Sequence, residues 1–236
     1  MPNKGKLFLI PSAIAASSVD VYLPPGVKDA IAHIRYFLVE NIRTARRYLS
    51  SLKLYASIEE LRFEVLDKNT NATALESLCA PLLQGHDVGV LSESGCPGVA
   101  DPGALAVAYA HKHNVRVMPL VGPSSLLLAL MASGLNGQHF AFHGYLPIHK
   151  AEVARVLPVL EKESRSRSQT QIFIETPYRN NGLCESLLKH LSPETRLCIA
   201  VDITGTGESI HTRTVADWRK SPPVLPKLPA VFLFLA

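Results

Sequence analysis

The loop at residues 91–103, LSESGCPGVADPG, combines residue types that ligand-binding loops use. Its three glycines allow close main-chain approach and positive φ, and its two prolines stiffen the segment. Glu93 and Asp101 would repel a phosphate, so a ligand that offers amino or hydroxyl hydrogens suits the loop better. The phosphate-binding patterns GxxxxGK[ST] and GxGxxG are absent from the sequence. An ordinary long turn without a ligand is the alternative interpretation.

Two further carboxylates stand where strands are predicted to end. Glu40 closes the apolar run 34–40 directly before a helical segment, and Glu175 follows an apolar run directly before Thr176 and Pro177. Residues at such positions often line a cleft and act on a ligand. The alternatives are an acid placed at a helix start by the helix dipole for Glu40, and a solvated turn acid for Glu175.

Basic residues cluster in the helical segment 41–52. Arg43, Arg46 and Arg47 lie in this segment, and Arg179 follows the strand that Glu175 closes. Arginines in such a cluster can hold the phosphates of a nucleic acid, and a solvated helix face is the alternative. The net charge of +4 and the pI near 8.9 permit a polyanionic partner such as RNA.

Strand-like and helix-like patterns alternate through the first half of the chain. Short apolar runs predict buried strands, and apolar residues at helical spacing predict the helices between them. This alternation is typical of βαβ units in a parallel sheet. The predicted strands are 6–10, 34–40, 61–67, 87–93 and 115–121, and the predicted helices are 41–52, 72–85 (capped by Thr70 or Thr73) and 104–113.

The second half has mostly strand-like patterns. The consecutive strands 195–204 and 209–215 predict an antiparallel hairpin, and 163–169 predicts a polar surface loop. The other predicted strands are 139–146, 171–177 and 230–236, and the predicted helices are 125–134, 150–162 and 180–190.

The change of pattern near residues 120–124 predicts a domain boundary and an α/β fold with two domains. Residues 1–120 are predicted to form an N-terminal domain with a mainly parallel sheet and helices on both faces. Residues 124–236 are predicted to form a C-terminal domain with a mixed sheet and flanking helices.

Cysteine spacing and hydropathy exclude several classes of protein. The four cysteines form no CxxC pair, so the sequence predicts no zinc or other metal site. The run KLFLI is too short for a secretory signal, and no stretch approaches the length of a membrane span. A cytoplasmic location is therefore predicted.

Several motifs follow one another in a fixed order along the chain. They are ENIRTARRYL (40–49), SESGCPGVADPG (92–103), VGPSS (121–125), ETPYR (175–179) and DITGTGESIHTRTVADW (202–218). Together they resemble the tetrapyrrole methylase superfamily of S-adenosylmethionine-dependent methyltransferases, and the resemblance runs from about residue 34 to the end. Within this superfamily, the chain is most similar to the branch that methylates a ribose 2′-hydroxyl of small-subunit ribosomal RNA.

The resemblance implies two α/β domains with S-adenosylmethionine bound in the cleft between them, usually in a homodimer. It also implies which residues contact this donor. The implied donor contacts are Pro11, Ser92, Glu93, Ser94, Gly95, Cys96, Asp101, Ser124, Ser125, Leu135, Glu175, Pro177, Tyr178, Asp202, Ile203 and Thr204.

The implied chemistry assigns roles to the remaining polar residues. Methyl transfer from a sulfonium needs alignment of the acceptor, and a ribose hydroxyl acceptor benefits from a nearby base. Glu40 and Glu175 are the predicted catalytic residues, with Glu93 and Asp101 as further candidates. Tyr178 could stack on the adenine of the donor or on a substrate base. The predicted RNA or substrate contacts are Arg43, Arg46, Arg47 and Arg179.

The sequence departs from the pattern of that branch at five places, two of which are Glu93 in place of a shorter acid and the few basic residues in LPIHKAEVARV. The turn after Pro11 lacks the usual glycine and asparagine, and Asn41 and Ile42 replace an acid and a threonine. The small C-terminal helical domain of the branch is not expected, because the sequence ends at VFLFLA. A methyltransferase for a small molecule such as a tetrapyrrole, or a donor-binding module without catalysis, therefore stay as alternatives.

Overall fold

Two compact units make up the chain in this computed structural model, which describes residues 4–15 and 22–236. The first unit is Met1–Ser124 and the second is Ser125–Ala236. Each unit has its own five-stranded sheet. The α/β fold class predicted from the sequence is confirmed, with a parallel sheet in the first unit and a mixed sheet in the second.

The sheet of the first unit is parallel throughout, with strand order β3-β2-β4-β1-β5. The three inner strands are short apolar runs that are almost entirely buried, as expected for a parallel sheet covered on both faces. The strands are β1 (Lys6–Ile10), β2 (Tyr36–Val39), β3 (Arg62–Val65), β4 (Val88–Leu91) and β5 (Arg116–Pro119).

Helices cover both faces of this sheet. One face packs Phe8, Ile10 and Phe37 against the first two helices. The other face packs Leu7 and Leu38 against the next two. The helices are α1 (Pro25–Ile31), α2 (Ile42–Ser51), α3 (Ala72–Leu83) and α4 (Gly103–Lys112).

Asparagine side chains set the starts of two of these helices. The Asn41 side chain accepts hydrogen bonds from the main chain of Arg43 and Thr44 at 2.9 and 3.3 Å and so caps α2. The predicted cap of α3 by Thr70 or Thr73 is wrong, because Asn71 accepts from the Ala74 amide at 2.9 Å. Helix α1 was not predicted; it is short and begins with prolines, which the sequence pattern treats as breakers.

The sheet of the second unit is mixed, with strand order β6-β7-β10-β8-β9. Strands β6 and β7 are parallel and the other neighbours are antiparallel, which confirms the predicted hairpin. The register of β6 against β7 shifts between Phe142 and Tyr145, where Gly144 has a φ of 65°. The strands are β6 (Phe140–Tyr145), β7 (Thr170–Glu175), β8 (Arg196–Val201), β9 (Ser209–Thr214) and β10 (Ala230–Leu235).

One helix covers one face of the mixed sheet and three cover the other. The prediction of a loop at 163–169 is wrong, because the helix continues past the fully buried Ser164 to Arg167. Its C-cap residue is Ser168, which has a φ of 49°. The short helix that carries Trp218 was not predicted. The helices are α5 (Ser125–Ser133), α6 (Lys150–Arg167), α7 (Asn180–His190) and α8 (Val215–Lys220).

A buried carboxylate joins α6 to the turn before β8. Glu161 accepts hydrogen bonds from the Ser192 amide at 2.7 Å and the Ser192 hydroxyl at 2.9 Å, and from the Thr195 hydroxyl. Glu161 and Thr195 are buried, and Ser192 is half-buried. Loss of this acceptor would leave its donors without partners, which is costly in a buried position.

We expect Glu161→Ala to lower the free energy of unfolding of the second unit by about 2–4 kcal/mol, because a hydrogen-bonded carboxylate is lost and its donors are left behind. The chain has a single tryptophan, Trp218, which is buried in this unit, so its fluorescence during urea unfolding reports the change. Glu163→Ala, at an exposed position of the same helix, is the matched control. Equal midpoints for the two variants would contradict the assignment.

Candidate active site

The carboxyl ends of the parallel strands bring the predicted residues of the first unit to one edge. Pro11 follows β1, Glu40 follows β2, and the loop 91–103 follows β4, which lies between β1 and β2 in the sheet. Ligands of open α/β sheets bind at this edge. Asp67, which the sequence analysis did not single out, lies at the same edge after β3; its place at the end of a predicted strand was the available signal.

Asp101 holds the loop 91–103 in shape. Its Oδ1 accepts hydrogen bonds from the amides of Gly98 at 2.6 Å and Gly103 at 2.8 Å. A Cβ on Gly103 would lie 2.9 Å from this oxygen, so the close approach requires glycine. The Asp101 Oδ2 is buried and has no hydrogen-bond partner among residues 4–15 and 22–236. The neighbouring Ser92 hydroxyl donates instead to the Ser94 carbonyl at 3.0 Å.

The loop is tied to the turn that follows β1. The Ser12 amide donates to the Gly95 carbonyl at 2.9 Å, and the Ser12 hydroxyl lies 3.3 Å from the Ser92 carbonyl. The Ser94 hydroxyl donates to the Ile14 carbonyl at 3.3 Å. The turn after Pro11 therefore contacts the loop although it lacks the glycine and asparagine of the branch that it resembles.

The segment 121–124 closes over the other side of this turn. The Cys96 thiol lies 3.3 Å from the Pro123 carbonyl, and the Tyr48 hydroxyl donates to the Pro11 carbonyl at 2.5 Å. A Cβ on Gly122 would lie 2.1 Å from the Cβ of Pro11, so only glycine fits. Burial raises the pKa of the Cys96 thiol and the Asp101 charge raises it further, so Cys96 stays a protonated thiol at neutral pH.

Carboxylates and amides line an open depression of about 840 Å³ at this edge. Glu40 Oε1 accepts from the Glu93 amide at 3.4 Å, and the Thr44 hydroxyl lies 3.5 Å from Glu93 Oε1. Residues that line the depression include Glu40, Asn41, Asp67, Lys68, Asn69, Glu93 and Asp101.

Burial changes the acid strength of two of these carboxyls. Burial raises the pKa of Glu40, and the nearby charges of Asp101 and Glu93 raise it further, against the hydrogen bond from the Glu93 amide. Burial also raises the pKa of Asp101, opposed by the hydrogen bonds from Gly98 and Gly103. Asp101 is committed to the loop, so Glu40 is the carboxylate of raised basicity that is open to a ligand.

The three arginines of α2 differ in their surroundings. Arg43 and Arg47 are exposed. Arg46 pairs with Glu59 and lies over the ring of Phe63, with 5.9 Å from its guanidinium carbon to the ring centroid. Since the ion pair is exposed, it contributes little and can open. Arg43 and Arg47 are therefore the better placed of the three for a phosphate.

The second unit buries Glu175 at the carboxyl end of β7. Its Oε1 accepts from the Thr176 amide at 2.7 Å, and its Oε2 lies 2.9 Å from a guanidinium nitrogen of Arg179, without good hydrogen-bond alignment. Arg179 also donates to the Pro147 carbonyl at 3.0 Å. Its side chain therefore braces the connection from β6 to α6. Glu175 is fully enclosed and paired, which argues against a role as a base.

The other predicted residues of the second unit lie at the same edge of its sheet. Ala230 pairs with Glu175 on one side and with Val201 on the other, so the segments after β7 and β8 start at the same level. Asp202 and Thr204 have φ values of 52° and 67°. The residues at this edge are Glu175, Pro177, Tyr178, Asp202, Ile203 and Thr204, while Ser125 begins α5 and Leu135 follows it. Ser124 ends the first unit.

Two classes of site are not found in the described part of the chain. Residues 4–15 and 22–236 contain no group of three or more histidine, cysteine, aspartate or glutamate side chains that could hold a metal ion. Within the same ranges, every helix is too short or too polar to cross a membrane.

Comparison with known proteins shows the family. The model of the tetrapyrrole (corrin/porphyrin) methylases matches residues 22–218. The ribosomal RNA small subunit methyltransferase I of Vibrio cholerae is 32% identical over 193 residues, which is 80% of this chain and 62% of that protein. Its Escherichia coli O157:H7 counterpart is 27% identical over 215 residues, 91% of this chain and 71% of that protein. The matches thus leave about a third of each relative uncovered.

Solved structures share the fold over almost the whole chain. The methyltransferase CobJ has a TM-score of 0.62 at 17% identity, with 98% of this chain and 94% of that chain covered. A uroporphyrin-III C-methyltransferase from Thermus thermophilus complexed with S-adenosyl homocysteine has a TM-score of 0.56 at 16% identity, with 98% and 97% covered. At these identities the likeness concerns the fold.

We expect Gly122→Ala to destabilise the first unit by roughly 1–3 kcal/mol, because the added methyl group overlaps Pro11 and forces the turn and the loop apart. Gly26→Ala is the matched control, since its Cβ meets nothing within 4 Å in α1 and alanine favours a helix by up to about 1 kcal/mol. The urea concentration at the midpoint of unfolding, measured by far-ultraviolet circular dichroism, should fall for Gly122→Ala and rise for Gly26→Ala. A Gly122 variant as stable as the parent would contradict the close contact.

Proposed function

Because the chain belongs to the tetrapyrrole (corrin/porphyrin) methylase family, we propose that it is a methyltransferase that uses S-adenosylmethionine as donor. We propose a ribose hydroxyl of small-subunit ribosomal RNA as the acceptor, since the relatives from Vibrio cholerae and Escherichia coli are named for this class of RNA. The observation that carries the proposal in the molecule itself is Glu40, a carboxylate of raised pKa at an open depression beside the loop 91–103.

The donor fits the residues around the loop. It carries an amino group and ribose hydroxyls, which can donate to carboxylates such as Glu93. When bound, the donor supplies an electrophilic methyl group on a sulfonium. We propose that Ser92–Cys96 and Ser124 of the first unit contact it. The contacts implied for the second unit, Ser125, Leu135 and Asp202–Thr204, stay predictions.

Glu40 would act as the base. A ribose hydroxyl is a poor nucleophile until its proton leaves, and a carboxylate with a raised pKa takes that proton more readily than an ordinary one. The proton ends on a carboxylate oxygen of Glu40 as the acceptor oxygen forms its bond to the methyl carbon. The bond between that carbon and the donor sulfur would break at the same time, with a neutral thioether as the leaving group. The remaining contribution of the chain is alignment, with the acceptor oxygen held roughly 3–3.5 Å from the methyl carbon.

The acidic depression and the basic helix α2 are proposed to have different roles, because phosphates are repelled by carboxylates and attracted by arginines. The depression is lined by Glu40, Asp67, Glu93 and Asp101, which disfavour a phosphate there. Helix α2 begins at the rim of the depression, because its cap Asn41 is one of the lining residues. The exposed Arg43 and Arg47 of this helix are thus proposed to hold the phosphates that flank the reacting nucleoside.

Other expectations from the sequence belong to the same proposal. A donor cleft between two domains, a homodimer and a cytoplasmic location stay predictions. The relatives favour RNA over a small molecule as acceptor, and a donor-binding module without catalysis would need no base. The three alternative functions predict different fates of a labelled methyl group: transfer to RNA, transfer to a small molecule, or no transfer.

We expect Glu40→Gln to slow methyl transfer from labelled donor to unmodified small ribosomal subunits by about 10²–10⁴-fold, because the proton acceptor is lost. In the parent protein the rate should fall as the pH is lowered through the pKa of Glu40, above its ordinary value of 4.5. Ionised Glu40 costs stability at neutral pH, since its pKa is raised by folding, so the variant should stay folded.

Glu60→Gln is the matched control, because it removes the same charge from an exposed position of the same unit. Full activity of the Glu40 variant would exclude Glu40 as the base. Label that appears only in low-mass products of a cell extract would replace RNA by a small molecule. Donor binding by calorimetry without any transfer would indicate a binding module.

A further inference from the structure

The second unit has a smaller depression of its own, of about 220 Å³. It lies between the connection from β6 to α6 and the start of α7, at the carboxyl edge of the mixed sheet. Ile148, Val153 and Leu183 give it apolar walls, while Lys150, Tyr178 and Arg179 stand around them. Glu175 lies beneath and is paired with Arg179.

Tyr178 stands at this depression with its ring in water. The residue is 84% exposed, so packing within the unit does not account for it. The ammonium group of Lys227 lies over the ring, 5.6 Å from its centroid. An aromatic face open to solvent beside a lysine is what proteins use to stack a nucleobase and contact its phosphate.

The side chains of two asparagines hold the segment that carries Lys227 in place. The Asn180 side chain donates to the Leu228 carbonyl at 2.7 Å. The Asn181 side chain donates to the Leu225 carbonyl at 2.9 Å and accepts from the Leu225 amide at 2.8 Å. The segment that carries Lys227 is therefore fixed to the first turn of α7, directly after Tyr178. Such preorganisation lowers the entropy that binding would cost.

The charges around the depression favour a polyanion. Glu175 is neutralised by Arg179 inside the fold. Lys150 lies 3.3 Å from Glu185, but both side chains are more than 70% exposed, so this pair is weak and Lys150 can turn to another anion. Lys150 and Lys227 thus leave two cations beside one exposed aromatic ring.

We propose that Tyr178, Lys227 and Lys150 form a contact for single-stranded RNA, in which an unstacked base lies on Tyr178 and the neighbouring phosphates lie on the lysines. This inference rests on the proposed function and extends it to the second unit. The adenine of the donor is the competing occupant. It suits the site less well, because S-adenosylmethionine carries a positive sulfonium and no phosphate, and its one carboxylate can pair with only one of the two lysines. A base inside a duplex is excluded, since its faces are already stacked.

The first test replaces the ring. We expect Tyr178→Leu to weaken binding of a fluorescent single-stranded RNA oligonucleotide by about 5- to 150-fold, as loss of one stacked base does. Tyr178→Phe should bind as the parent does, and donor affinity measured by calorimetry should stay unchanged in both. Phe140→Leu, an exposed aromatic at the other end of β6, is the matched control.

The second test removes the charge of Lys227 and measures how RNA affinity depends on salt. We expect Lys227→Ala to reduce the slope of log affinity against log salt by about 0.7, the value for one phosphate contact to a single strand. Lys227→Arg should keep the slope, and Lys220→Ala, an exposed lysine of the same unit, should leave it unchanged.

Three results would overturn the inference. Unchanged RNA binding by Tyr178→Leu, in a protein that still methylates small subunits, would sink the contact and leave the proposed function standing. Weaker donor binding by Tyr178→Leu, with RNA binding intact, would assign the ring to the adenine. A parent protein that binds no RNA and transfers no methyl group to it would sink both.

Discussion

The hydrogen bonds that Asp101 accepts from the main chain of its own loop are the constraint on which the candidate site depends. One carboxylate oxygen joins Gly98 to Gly103 and so fixes the whole turn between β4 and α4. Ordering a glycine-rich loop at a sheet edge costs conformational entropy, and the hydrogen bonds to a charged acceptor offset that cost by stabilising one conformation. Ser12 donates hydrogen bonds to the carbonyls of Ser92 and Gly95. These bonds join the turn after β1 to the loop after β4.

The same arrangement determines how acidity is distributed. Asp101 is partly buried where it holds the loop, and its negative charge raises the pKa of the neighbouring Glu40. A residue that shapes the loop thereby also tunes the carboxylate that faces the depression. In the second unit the corresponding acid, Glu175, is paired with Arg179 and enclosed. Of Glu40 and Glu175, only Glu40 keeps an open face.

Among residues 4–15 and 22–236, the sequence predicted all ten strands and six of the eight α-helices described above, because apolar runs and glycine or proline breaks mark them clearly. It missed α1 and α8, which have six or seven residues and too few apolar positions to show a helical period. Residues that follow strands, such as Glu40 and Asp101, were found from their positions. What each side chain contacts could not be predicted, since the Arg179 brace and the approach of Lys227 to Tyr178 depend on distant segments.

The irregular register of β6 against β7 affects how readily the sheet can pair with a strand of another molecule. β6 is an outer strand of the mixed sheet, and an outer strand offers unpaired amides and carbonyls that can recruit a strand from another molecule. The shift between Phe142 and Tyr145, with Gly144 in the left-handed region, interrupts that row. A bulge of this kind twists the edge away from a flat template. The unit thus carries a built-in protection against growth into fibrils on a side where exposed aromatic residues would otherwise favour it.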